Sequence, residues 1–137
     1  MKITINNDVF QVFSLIEGKL GKNNLFFVGG FVRDTLLGRI TDDLDFATPL
    51  DPQVVFSMFP YAHFFQKFGT VSFKINQFHI TIASFRKESD YKDFRHPDDV
   101  VFVKSLKEDS KRRDFTINCL YVNSSLEVLD PTKRGLV

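Results

Sequence analysis

Phe26-Phe27-Val28-Gly29-Gly30-Phe31-Val32-Arg33-Asp34-Thr35-Leu36-Leu37-Gly38, and shortly after it Asp43-Leu44-Asp45-Phe46, decide how this 137-residue chain folds. Leu25-Phe26-Phe27-Val28 is a short apolar run and reads as a buried strand. Gly29-Gly30 makes a turn, Phe31 to Leu37 reads as a helix, and Gly38 closes it. Leu44 and Phe46 then alternate with Asp43 and Asp45 in a second strand, ended by Pro49. Strand, glycine turn, helix and strand form an α/β order.

Working outward, Phe10, Phe13, Leu15, Ile16 and Leu20 recur at near-helical spacing until Gly18, Gly21 and Asn23-Asn24 break the pattern, which predicts an N-terminal helix. Asp51-Pro52 fits the cap and first position of a further helix running through Val55, Phe56 and Met58 to Pro60. From Phe64 to Phe85 the chain reads as strands broken at Gly69, with a hairpin about Asn76-Gln77. Arg86 to Asp99, charged and aromatic without a sustained period, reads as a surface loop. Leu106 to Asn118 reads as helical, and Leu120 to Leu129 as two short strands about Asn123-Ser124-Ser125. The expectation is a single domain spanning residues 1–137 with a mixed sheet.

Composition narrows the function classes. With 18 basic and 17 acidic residues, the chain has no strong global field for gathering nucleic acid, so phosphate binding must come from locally placed cations. A hydrophobic content of 43%, with 17 Phe and no Trp, argues against disorder. The single cysteine, Cys119, cannot form an internal disulfide and reads as a small core residue, so a reducing, cytoplasmic setting is expected. No apolar run is long enough to cross a bilayer, and no leader pattern opens the chain, so neither export nor membrane spanning is expected. His63, His79 and His96 are scattered without metal-ligand spacing, and Phe56, Phe59, Tyr61, Phe64 and Phe65 read as core rather than as a base-stacking platform.

The chemistry centres on Asp43 and Asp45. Two apart in a strand, their side chains point the same way and repel. A divalent, oxygen-seeking cation such as Mg2+ removes that repulsion, and such a pair can hold one ion or bridge two about 4 Å apart, as nucleotidyl transfer requires. Alone, the pair reads better as a solvated strand edge, or as turn residues with Asp42. Its context adds weight, because Gly29-Gly30 opens a helix whose N-terminal N–H groups form an anion site, and Arg33 lies one turn further on. A surface ion pair with Asp34 or Asp42 is the other reading for Arg33.

Together, Phe27 to Gly38 and Asp43-Leu44-Asp45-Phe46-Ala47-Thr48 resemble the first signature of class II tRNA nucleotidyltransferases (CCA-adding enzymes) and bacterial poly(A) polymerases. Glu108-Asp109-Ser110-Lys111-Arg112-Arg113-Asp114-Phe115-Thr116-Ile117-Asn118 resembles their next signature, and Asp130-Pro131 the short motif after it. The resemblance implies the nucleotidyltransferase fold, a mixed β-sheet with helices mainly on one face, as in the palm of DNA polymerase beta. It implies that Asp43 and Asp45 ligate catalytic Mg2+ and that Gly29, Gly30, Arg33 and Arg113 contact the nucleotide triphosphate. It further implies CTP and ATP as substrates and addition to the 3′ end of tRNA or poly(A) synthesis; neither a membrane nor a protein partner is expected. Phe68-Gly69-Thr70-Val71-Ser72-Phe73 looks more like the CCA enzymes than the polymerases. Asp114 and Asn118, one helical turn apart, form a candidate structural pair, while Tyr91, Phe94 and Arg95 are candidates for touching substrate from the loop.

The chain departs from the family pattern in two places. Family members carry a third carboxylate on a later strand, where ungapped alignment of Gly69-Thr70 and Ser84-Phe85-Arg86 puts Thr81. Threonine cannot act as a carboxylate base, which leaves weakened activity, substitution by Glu88 or Asp90, or deprotonation by metal and solvent. The neck, body and tail regions that follow the head in complete family members are absent from this chain, which ends at Gly135-Leu136-Val137.

Overall fold

A computed structural model describes residues 1–88, 100–113 and 120–131. Its first half runs α1 (Asn7–Leu20), β1 (Phe26–Phe27), α2 (Gly29–Leu36), β2 (Asp43–Thr48), α3 (Pro52–Met58) and β3 (His63–Phe65). The second half runs β4 (Thr70–Ile75), β5 (Phe78–Ser84), β6 (Arg86–Glu88), β7 (Val100–Phe102), α4 (Leu106–Lys111), β8 (Tyr121–Val122) and β9 (Val128–Leu129).

Local signals account for the helix ends. The Asn6 side chain accepts the Asp8 N–H at the start of α1, and Gly21 ends that helix in a backbone conformation (φ +101°) suited to glycine. Gly18 lies inside α1 and does not end it. Asp51 caps α3 with Pro52 in its first turn, as the sequence predicts. The Ser105 hydroxyl accepts the Glu108 N–H to open α4, which stops at Lys111. The part of the expected helix holding Asp114 and Asn118, together with Cys119, lies outside the described residues. The first part of the expected loop is instead strand: β6 pairs antiparallel with β7, matching Arg86 to Phe102. Asp90, Tyr91, Phe94, Arg95 and His96 lie outside the described residues.

A seven-stranded sheet in the order β3-β4-β5-β2-β1-β8-β9 organises the molecule. β2 runs parallel to β5, and the other described neighbours are antiparallel. Alternation sends Leu44, Phe46, Ile80, Ile82 and Val71 to one face, where they pack with Val9, Val12, Phe13, Ile16 and Leu20 of α1, Phe31 and Val32 of α2, and Val55 of α3. Phe27 is the hub, with ring centroids 4.9 Å from Phe13, 4.6 Å from Phe31 and 4.9 Å from Phe46. Phe10 and Leu15, counted towards the apolar face of α1 from spacing alone, are exposed. Tyr61 and Phe65 are exposed as well, while Phe59 is buried and Phe56 packs against Phe64 with ring centroids 4.7 Å apart.

The opposite face is divided. Ala47, Val28, Phe85 and Tyr121 form a second core under Val103 and Leu106, so the β7–α4 segment roofs that end. Phe102 belongs to the roof, and a Cβ on Gly69 (φ +64°) would lie 2.3 Å from its ring. Among the described residues the other end of the face, from Asp43 and Asp45 towards β4, stays open, with Asp43, His79 and Lys74 exposed.

Candidate active site

Asp43 and Asp45 project from β2 onto that open face, while Leu44 and Phe46 between and after them are buried beneath. The N-terminus of α2 abuts them. Val28, its N-cap, offers no side-chain acceptor, and Asp45 supplies one from across the fold: its Oδ2 accepts the Phe31 N–H at 3.3 Å. The sequence predicts a glycine turn before the helix, but Gly29 and Gly30 form the first turn of α2 itself. Gly29 sits at φ +62°, and a Cβ there would be 3.6 Å from Asp45 Oδ2; one on Gly30 would be 3.4 Å from it and 3.3 Å from Arg33 Nη2.

A cleft of about 230 Å³ opens here, lined by Gly30, Phe31, Arg33, Asp34, Thr41, Asp43, Asp45, His79 and Thr81. Arg33 donates from Nε to Asp34 Oδ1 at 3.4 Å, with its side chain 46% exposed, so the surface ion pair and a place on the cleft wall coexist. Burial raises the Asp45 carboxyl above its ordinary range, the Phe31 N–H opposes this, and the neighbouring Asp43 charge raises it further. A half-buried carboxylate beside a like charge, open to a polar cleft, is a donor set that a hard divalent cation fits, because the cation offsets both penalties. Among the described residues no group of three or more His, Cys, Asp or Glu could hold a metal ion. The parallel register makes Thr81, which the family resemblance sets at the place of a third carboxylate, the β5 partner of Asp45, and its hydroxyl lies 3.2 Å from that of Ser72.

Arg113 does not line the cleft, yet its charge reaches Asp45 and lowers that carboxyl. Asp109 ties Arg113 down. This carboxylate is 0% exposed and accepts from the Arg86 backbone N–H (2.8 Å), Arg112 Nε (3.3 Å), Arg113 Nε (3.1 Å) and the Tyr121 hydroxyl. Burial works against the Arg113 charge, but Asp109 and Tyr121 outweigh it, and its pKa is raised; for Arg112 burial wins over Asp109, and its pKa is lowered. Burial also pushes the Tyr121 phenol up. Sequence reasoning passed over Asp109, although its spacing of three and four residues before Arg112 and Arg113 marks a helical carboxylate–guanidinium cluster. It passed over His79 too, which alternation places beside Thr81 on the cleft wall.

Comparison with known proteins shows the family and the fold. The family model described as "Poly A polymerase head domain" matches residues 25–137. A CCA-adding enzyme of Anoxybacillus flavithermus is 42% identical over 134 residues, covering 93% of this chain and 32% of the relative. One from Leuconostoc mesenteroides is 48% identical over 106 residues, covering 77% of this chain and 26% of the relative. The chain thus spans about a third or less of the length of these curated relatives. Among solved structures, the Bacillus stearothermophilus CCA-adding enzyme in complex with CTP superposes with a TM-score of 0.74 at 32% identity, over 93% of this chain and 30% of that one. A tRNA nucleotidyltransferase complexed with a primer tRNA and an incoming ATP analog gives 0.63 at 30% identity, over 89% of this chain and 34% of that one. The mixed sheet with its three helices on one face is therefore the nucleotidyltransferase fold of those enzymes, and the chain belongs to the poly A polymerase head domain family.

Proposed function

We propose that this chain is the catalytic head of a template-independent tRNA nucleotidyltransferase, adding C and A from CTP and ATP to the 3′ end of tRNA in the cytoplasm, with Mg2+ as cofactor. The observation that carries the proposal is the Asp43–Asp45 pair set against the glycine-opened N-terminus of α2, with Arg33 on the same cleft. The relatives' names, and their structures with CTP or with primer tRNA and an ATP analog, support the choice of substrates.

In the reaction the primer 3′-hydroxyl oxygen attacks the α-phosphorus of the nucleotide. The α–β bridging P–O bond breaks, pyrophosphate leaves, and the hydroxyl proton passes to solvent. Asp43 and Asp45 would hold the metal, which when bound lowers the pKa of the hydroxyl and neutralises charge on the phosphates. Gly29, Gly30 and Arg33 receive the triphosphate at the N-terminal end of α2, and Arg113, bonded to Asp109, adds positive potential at Asp45. Catalysis rests mainly on position and electrostatics.

Thr81 beside Asp45 favours a second reading, a module that binds metal and nucleotide without transferring. The two separate in one assay: the chain is mixed with Mg2+, labelled CTP or ATP and a tRNA lacking its CCA end, and both nucleotide binding and incorporation are followed. Incorporation that disappears in Asp43→Ala and Asp45→Ala, with folding unchanged, supports transfer. Binding without incorporation selects the module, and wild-type behaviour of both variants refutes the metal roles.

A further inference from the structure

In-line displacement places the attacking hydroxyl and the leaving pyrophosphate on opposite sides of the α-phosphorus. If the triphosphate lies on the α2 side of Asp43 and Asp45, as proposed above, the primer must arrive from the β5 side. The register shows what it would meet there. One row of paired residues crosses the open face from Asp45 through Thr81 and Ser72 to His63, and a parallel row runs from Asp43 through His79 to Lys74. Asp43, His79, Lys74 and His63 are exposed, and Thr81 and Ser72 are partly so. Beyond the carboxylates of Asp43 and Asp45 the rows carry two hydroxyls, two imidazoles and an ammonium, and their charge turns from negative at β2 to positive at Lys74. The Phe102 and Ala47 end of the same face is closed by the roof, so among the described residues the approach along these strands runs over the two rows.

We propose that these rows form the track for the last nucleotides of the RNA primer, with Lys74 and His79 contacting its backbone phosphates and the hydroxyls of Thr81 and Ser72 its sugar edges. The proposal rests on the nucleotidyltransferase reading of the cleft. Three interstrand steps span about 14 Å, enough for the last few nucleotides of a single strand and too narrow for a duplex. An ammonium and hydroxyls suit backbone contact, which tolerates any sequence.

The test is anisotropy of a 5′-labelled single-stranded RNA with a free 3′-hydroxyl, titrated with the chain at several salt concentrations. Lys74→Gln is expected to weaken binding about fourfold at ~0.15 M salt and to make the slope of log K against log salt shallower by about 0.7, as loss of one phosphate contact on a single strand requires. Lys22→Gln, an exposed charge at the end of α1 on the far layer, serves as the charge-matched control and should leave affinity unchanged. A photoreactive 4-thiouridine at the RNA 3′ end should cross-link to peptides of residues 70–84. Equal affinity and slope for Lys74→Gln and Lys22→Gln, or cross-links confined to other segments, would overturn the track. CTP binding is measured in parallel with every variant: intact CTP binding with no RNA binding by the wild type removes the track alone, whereas absence of Mg2+-dependent CTP binding removes the functional reading and the track with it.

Discussion

Replacing Asp109 by asparagine takes away one charge and almost no volume, and the structure states what that charge balances. Four donors converge on the carboxylate: the Arg86 N–H and Arg112 Nε on Oδ1, Arg113 Nε and the Tyr121 hydroxyl on Oδ2. An amide has a single acceptor oxygen, so in either orientation its NH2 faces two donors. Side-chain exposures of 16% for Arg112, 13% for Arg113 and 0% for Asp109 leave little water to replace the lost counter-charge. Removing one partner of a buried ion pair costs about 3–5 kcal/mol, mostly through the stranded cation. For Asp109→Asn the expected loss is at the upper end of that range, a fall in Tm of roughly 10–20 °C for a domain of this size. Urea denaturation with linear extrapolation measures it. A second substitution that removes a stranded cation, Arg112→Met in the Asp109→Asn background, should recover part of the loss. A loss below about 1 kcal/mol in the single variant, or no recovery in the double, would refute the reasoning that Asp109 holds the arginines electrostatically.

Gly69→Ala should destabilise the chain by about 2–4 kcal/mol in the same assay, since a side chain at φ +64° is strained and its Cβ would push the Phe102 ring out of the roof. Tyr121 predicts an alkaline limit. Burial raises its phenol above 10.0, so the folded chain keeps a proton that the unfolded chain releases; its contribution is complete below pH 10 and declines as pH rises beyond it, by up to ~1.4 kcal/mol per pH unit. Tyr121→Phe should therefore show a shallower loss of stability than wild type between about pH 9 and pH 11, read by urea midpoints.

What the sequence makes legible here follows the range of the interactions. Alternation in Asp43 to Phe46 reports a face, and Asp51-Pro52 reports a cap, because each depends on neighbours within a turn or a strand. The same reasoning overcounts Phe10 and Leu15, since spacing gives a helix its apolar arc without saying how wide a sheet covers it. The β2–β5 pairing joins strands separated by α3 and a hairpin, and no local signal encodes it; it alone makes Thr81 the neighbour of Asp45 and brings His79 to the cleft. Asp109 was missed for another reason. Read with Lys111, Arg112 and Arg113, it looks like one more charge on a solvated helix, and only the packing of Tyr121 and Phe85 under α4 turns it inward.

Thr81 gives the charge arrangement at the cleft a measurable consequence. A carboxylate in its place would stand one strand spacing, ~4.8 Å, from Asp45, itself already raised by burial and by Asp43. Like charges at that separation repel by about 3 kcal/mol at an effective dielectric near 20, and rather less where water reaches them. The threonine spares the free chain this repulsion, and its hydroxyl shares a hydrogen bond with Ser72 instead. Thr81→Asp should therefore lower stability in metal-free buffer by about 1–3 kcal/mol. Millimolar Mg2+ should return most of that loss, because a third oxygen donor on the same face tightens the cation site it destabilises when empty. Thermal unfolding with and without Mg2+ decides the point. Equal loss in both conditions would mean that the position beside Asp45 lies outside the reach of an ion held by Asp43 and Asp45, and the reading of Thr81 as standing in a third donor's place would have to be abandoned.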